Sequence, residues 1–203
     1  NRDDEGGSNR GAVHIIFMNT DGSVDSTVEI NSSTTNGPTL ANSDNFGHSV
    51  ANIGDLDGDG VNDLAVGAIY DAEGGTNRGA VHIMFMNTDG SVDSTVEINS
   101  STTNGPTLAN LDHFGMSVAN IGDLDGDGVN DLAVGADRDD EGGDDRGALH
   151  IMFMEDVIKP TVTITSSSGD SGDSTSSTTL SYTATFSESV SNFVVGDITV
   201  TGT

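Results

Sequence analysis

Cysteine is absent, so no disulfide can brace this chain. Tryptophan is absent too, and only two Tyr and seven Phe occur in 203 residues. With 33% hydrophobic residues the core is thin, and the fold must lean on something besides apolar burial. No run of about 18 apolar residues occurs, so nothing reads as a membrane-spanning helix. No amphipathic helix of useful length stands out, and no signal peptide is visible; the opening NRDDEGGSNRG already belongs to a repeat, so a leader could have been removed or never included. Basic residues are scarce: six Lys and Arg stand against 33 Asp and Glu, for a formal net charge of -27. Such a surface repels nucleic acid and anionic membrane, which excludes both as partners. A halophilic origin is one reading of the acidity, and bound cations are the sharper one.

What is present is repetition. RGAVHIIFMNTDGSVDSTVEINSSTTNGPTLAN starts at Arg10, a nearly identical copy starts at Arg78, and RGALHIMFM starts at Arg146, a period of 68 residues. Each unit reads as strands. In GAVHIMFM, Val81, Ile83 and Phe85 alternate with Ala80, His82, Met84 and Met86. The Asp-Gly in NTDG signals a hairpin, and SVDSTVEI is its β-branched return strand. FGHSVANIG and NDLAVGA supply two more short strands, and NSSTTNGP is loop. Four short strands per unit joined by tight turns match a propeller blade, so the fold class is all-β.

One stretch, DLDGDGVND, is spelled identically at Asp55–Asp63 and Asp123–Asp131. Carboxylates stand at positions 1, 3, 5 and 9: Asp55, Asp57, Asp59 and Asp63, then Asp123, Asp125, Asp127 and Asp131. A tight loop can turn side chains 1, 3 and 5 toward one centre. The backbone carbonyl at position 7, Val61 or Val129, adds an oxygen, and position 9 closes the shell. The result is an oxygen-only shell of the kind Ca²⁺ takes at roughly 2.3–2.6 Å, one ion per loop and two per chain. Mg²⁺ prefers fewer protein ligands and more water. Without a cation, four carboxylates this close repel. An EF-hand would need Glu at position 12 and flanking helices, but position 12 is Val66 and the flank is strand-like.

With its flanks, FGHSVANIGDLDGDGVNDLAVGA at Phe46–Ala68 and FGMSVANIGDLDGDGVNDLAVGA at Phe114–Ala136, the stretch resembles the FG-GAP repeat of integrin α-subunit propellers and of many bacterial surface proteins. The resemblance implies that Phe-Gly opens the first strand of a blade and that the Asp-rich loop joins the first two strands and binds Ca²⁺. It implies a partial blade over 1–45, a full blade over 46–113 and a partial blade over 114–155. A ring of the family's usual seven blades cannot close from two, four and three strands. Hence the chain is a piece of a longer polypeptide, or copies complete one another, or the units stack in an open array. Residues 156–203 turn Ser/Thr-rich, and YTATFSESVSNFVVGDITV is similar to part of a bacterial immunoglobulin-like β-sandwich module.

Other chemistry is sparse. His14, His82 and His150 recur at one strand position, with no Cys or second His nearby, and read as sheet-face residues rather than ligands. The acidic turns at Asp3, Asp71 and Asp139 could bind a cation or a partner, and read first as solvated loops. No Cys nucleophile, Gly-x-Ser-x-Gly elbow or phosphate loop occurs, and a catalytic carboxylate pair should be singular where these are repeated. The expectation is a non-catalytic, extracellular, calcium-binding surface protein, structural or adhesive, and a candidate subunit of a filament or tube. Its partners are other copies or further repeats of the same polypeptide, or a protein or glycan ligand. The alternative is a calcium-stabilised binding scaffold of a larger secreted enzyme.

Overall fold

The structure, a computed structural model, describes residues 3, 4, 6–155, 162–166 and 182–186. The chain divides into two units, Asn1–Glu155 and Asp156–Thr203. Among the described residues every regular element is a β-strand.

The first unit holds β1 (Val13–Met18), β2 (Val24–Ile30), β3 (Phe46–Gly54), β4 (Asp63–Ala68), β5 (Ala80–Met86), β6 (Val92–Ile98), β7 (Phe114–Gly122), β8 (Asp131–Ala136) and β9 (Ala148–Met152). They form three antiparallel sheets, β1-β2, β3-β4-β5-β6 and β7-β8-β9. The middle sheet has the four antiparallel strands expected of a complete blade, and the others show two and three strands of the same pattern. The Asp-Gly hairpin forms where its sequence stands. The Gly90 N–H donates to the Asn87 carbonyl (2.9 Å), and Asp89 Oδ1 accepts from the Ser91 N–H (2.9 Å). Gly90 sits at φ 81°, which only a residue free of Cβ adopts without strain.

Strand alternation delivers the core. One face of the middle sheet, with Val66, Met84, Met86 and Val92, packs with Val13, Ile30 and Leu40 of the preceding repeat. The other face, with Ala65, Val81, Ile83 and Ile98, packs with Phe114, Leu132 and Val134 of the following one. Each large side chain fully buried here contributes about 1.5–3 kcal/mol. Backbone ties reinforce the stack: Phe114 N–H donates to the Arg78 carbonyl and Phe46 N–H to the Arg10 carbonyl, both at 2.9 Å. Gly67 lies where an added methyl group would strike the Gly115 carbonyl of the next sheet, so only glycine permits this approach.

In the second unit the described residues form one antiparallel pair, β10 (Val162–Ser166) with β11 (Tyr182–Phe186). The remaining strands expected of an immunoglobulin-like sandwich, DITVT among them, lie outside the described residues.

Candidate metal centre

The Asp-rich stretch runs from the end of β3 to the start of β4, and its copy from β7 to β8. Each loop folds around its first aspartate. Asp55 Oδ1 accepts from the N–H groups of Gly58 (2.8 Å) and Asp59 (3.0 Å), and Oδ2 accepts from Gly60 N–H (2.9 Å). Asp123 does the same with Gly126 (2.6 Å), Asp127 (3.2 Å) and Gly128 (2.9 Å). Gly58 and Gly60 hold φ of 80° and 91°, and Gly126 and Gly128 hold 85° and 98°, the left-handed turns that a loop this tight demands.

The last aspartate ties the loop to the sheet. Asp63 is 1% exposed; its Oδ2 accepts from Leu56 N–H (2.8 Å) and its Oδ1 from Met86 N–H on β5 (3.0 Å). Asp131 repeats this with Leu124 (2.7 Å) and Met154 (3.0 Å). Burial raises the pKa of Asp63 against those two hydrogen bonds, and the charges of Asp57 and Asp59 raise it further. A carboxylate buried among like charges favours a neighbouring cation.

In the first loop, one carboxylate oxygen each of Asp55, Asp57 and Asp63 lies within 4.8 Å of the others; in the second, the three are Asp123, Asp125 and Asp127. Positions 1 and 3 thus converge in both copies, while the third member differs. Asp59 stands outside the first group, its Oδ1 accepting from Val61 N–H (2.7 Å), and Asp131 stands outside the second. Val61 and Val129 are half-buried, and the Val61 side chain packs against the apolar cluster behind the loop. The donors are oxygen only, gathered at a glycine-hinged turn, and they fit a hard divalent cation.

The acidic turns differ from the sequence expectation. Asp71 and Asp139, read as solvated, are 5% and 2% exposed. Each turns back under its own sheet, where Gly79 N–H donates to the Asp71 carbonyl and Gly147 N–H to that of Asp139. The signal available in the sequence was the aspartate recurring at a fixed distance ahead of the strand histidine.

Residues 46–84 and 114–152 each match the FG-GAP repeat family. The chain is 41% identical over 93 residues to integrin alpha pat-2 of Caenorhabditis elegans, covering 45% of this chain and 7% of that protein. It is 42% identical over 95 residues to integrin alpha-5 of Xenopus laevis, covering 45% and 8%. With integrin alpha-2 of Mus musculus it shares 33% over 100 residues, covering 49% and 8%. The match thus spans less than a tenth of the length of these relatives.

Proposed function

We propose that this FG-GAP repeat protein, of the integrin-α-like β-propeller type, is a non-catalytic extracellular surface protein whose blades are locked by calcium and serve structure or adhesion. The observation that carries the reading is the convergence of three carboxylates in each of two identical loops, at the edge of sheets that otherwise have little core. Asp55, Asp57, Asp59, Asp63 and the Val61 carbonyl hold one Ca²⁺; Asp123, Asp125, Asp127, Asp131 and the Val129 carbonyl hold the second. Asp59 and Asp131 join their groups when the ion draws the loop together. Calcium neutralises the clustered charge and cross-links two strands of each sheet, a role disulfides fill elsewhere. Among the described residues no helix is long and apolar enough to cross a membrane.

The partner is more of the same repeat, in another copy or along the same polypeptide. The β1-β2 sheet bares Ile16 (52%) and Met18 (57%), the face that in the middle sheet packs on the preceding blade. The β7-β8-β9 sheet bares Leu149 (65%), Ile151 (41%) and the adjoining Phe153 (56%), matching the face that packs on the following blade. These are the two halves of one interblade contact. Joined head to tail, they extend the stack without closing it unless the rotation makes a ring.

The test is thermal unfolding of the purified chain with calcium and with excess chelator. With Kd on the order of 10⁻⁴ M, saturating calcium at a hundredfold excess adds about 2.7 kcal/mol per site. Chelation should therefore lower the melting temperature sharply, and Asp57→Ala with Asp125→Ala should reproduce the loss. A melting curve indifferent to chelator would refute the calcium role.

A further inference from the structure

Past the end of β4 opposite the Asp-rich loop, three side chains from separate parts of the middle blade meet. Asp71 lies in the turn after β4, His82 on β5 and Glu97 on β6. A ring nitrogen of His82 and one carboxylate oxygen each of Asp71 and Glu97 all lie within 4.8 Å of one another. Hairpin register sets the pair His82 and Glu97 directly opposite each other. His82 is 1% exposed, and neither of its ring nitrogens has a hydrogen-bond partner. Phe46 packs edge-on against the imidazole at 5.4 Å. An imidazole buried with both nitrogens unsatisfied is costly unless something else engages it.

The two carboxylates are already oriented. Asp71 Oδ1 accepts from Glu73 N–H (2.8 Å), and Glu97 Oε1 accepts from Asn99 Nδ2 (2.6 Å), which leaves a second oxygen on each. Neither forms an ion pair with a basic side chain among the described residues. Burial raises the pKa of both, and Asp44 and Glu73 add like charge beside Glu97, so the cluster lacks a positive partner. A hollow of about 310 Å³, lined by Glu73, Glu97, Asn99, Ser101 and Thr102, opens the Glu97 side to solvent.

We infer that Asp71, His82 and Glu97 form a second kind of cation site, one nitrogen and two oxygens, that takes a divalent transition-metal ion of the Zn²⁺ class. Imidazole nitrogen suits Zn²⁺ and its neighbours, whereas calcium takes oxygen. Zinc bonds of roughly 2.0–2.2 Å set tetrahedral donors about 3.3–3.6 Å apart, so the group, now within 4.8 Å, closes by up to about 1.5 Å around the ion. Three protein ligands leave the fourth position to water, which the hollow supplies. Asn99 and the Glu73 N–H hold the ligands from behind, as outer partners do in metal sites. The neighbouring repeats grade the arrangement. Asp3, His14 and Glu29 form the same group with an exposed histidine, while Asp139 and His150 (3.5 Å) keep two of the three members.

Co²⁺ is the probe, because its visible absorption reports both coordination number and imidazole ligation. The full chain carrying His14→Gln, which silences the exposed copy, is titrated with Co²⁺ in excess Ca²⁺. The expected result is a four- or five-coordinate spectrum that survives calcium and is displaced by Zn²⁺. Glu97→Gln, at the half-buried edge, should weaken binding at least tenfold, and Asn99→Ala about 10- to 100-fold. Should His82→Gln fail to fold, the His82 ring resonances of the His14→Gln chain, followed through Zn²⁺ addition, give the same answer by shifting in slow exchange. Cobalt that calcium competes away, affinity untouched by Glu97→Gln, or unmoved His82 resonances would each overturn the inference.

Discussion

Strands β2 and β6 share the sequence VDSTVEI, yet they live in different surroundings. Val24 is 54% exposed and its counterpart Val92 4%. One strand earlier, Met18 is 57% exposed and Met86 5%. Local sequence is the same, local conformation is the same, and the hairpin register is the same. What differs is the company. The middle sheet has a blade on each side; the outer sheets have one. Burial in a repeat protein thus belongs to the interface between units, and stability comes from neighbour contacts more than from any unit alone.

The sharpest way to break this comparison is to cut the same position in both settings. Met84 is wholly buried and Ile16, its counterpart, is 52% exposed. Met84→Ala should cost about 2–5 kcal/mol, from lost transfer energy and the cavity left behind. Ile16→Ala should stay within about 0.5 kcal/mol. Denaturant unfolding at low protein concentration reads both. Equal losses there would show that the outer face is covered in the folded monomer. A loss for Ile16→Ala that grows with concentration would instead reveal the head-to-tail contact.

Much of this was legible in the sequence because it is written in local terms. Alternation in GAVHIMFM and the Asp-Gly turn specify a hairpin regardless of context, and β5 and β6 pair as that pattern requires. The spacing of Asp55, Asp57 and Asp63 likewise carries its own geometry, since glycines at fixed places fold the carboxylates inward. Asp59 and its copy Asp127 were harder, because both bond the N–H two residues on, yet only Asp127 stands within its group. The group of Asp71, His82 and Glu97 escaped notice for a physical reason. Its members are 11 and 15 residues apart, on a turn and two strands, and only tertiary register joins them. Counting outward from the NTDG turn would have set His82 opposite Glu97, but nothing local says that Asp71 folds underneath.

Titration offers a second contrast, between the buried middle blade in added divalent cation and in chelator. Burial lifts Asp44 to about 6 and Glu97 to about 7, and holds His82 down to about 4. A raised carboxyl favours the folded state while protonated, so that stability is present below its ordinary range and is lost as pH rises through the raised value. The depressed imidazole acts oppositely: its contribution is full above 6.5 and is lost as pH falls toward 4. From pH 6.5 upward the imidazole has only the remaining half of its unfolded-state titration to give, which raises stability slightly, while Glu97 sheds most of its proton and lowers it more. In chelator, the denaturation midpoint should therefore fall between pH 6.5 and about 8. Glu97→Gln should flatten that slope. A midpoint constant across the window in the unsubstituted chain would contradict the burial of Glu97 as described.

The smallest effect lies in the loop before each Phe-Gly strand, where two copies share a backbone but differ at two side chains, Ser43/Leu111 and Asn45/His113. Ser43 and Leu111 occupy the same position at φ 78° and 75°, and each donates its N–H at 2.9 Å, to Ser8 and Thr76 carbonyls respectively. Left-handed backbone costs a residue with a branched side chain about 1–2 kcal/mol, and asparagine much less. Leu111 recovers part of that by burial, but it is 46% exposed, so the recovery is only about 1 kcal/mol. Leu111→Asn should then stabilise slightly, by about 0.5 kcal/mol, whereas Leu111→Ala keeps the strain, loses the burial and should destabilise by about 1 kcal/mol. The gap between the two variants isolates the backbone strain from the packing, and urea midpoints measured side by side resolve it. If asparagine and alanine proved equally harmful, burial of the leucine would outweigh the conformational cost, and this loop would count as part of the interblade contact.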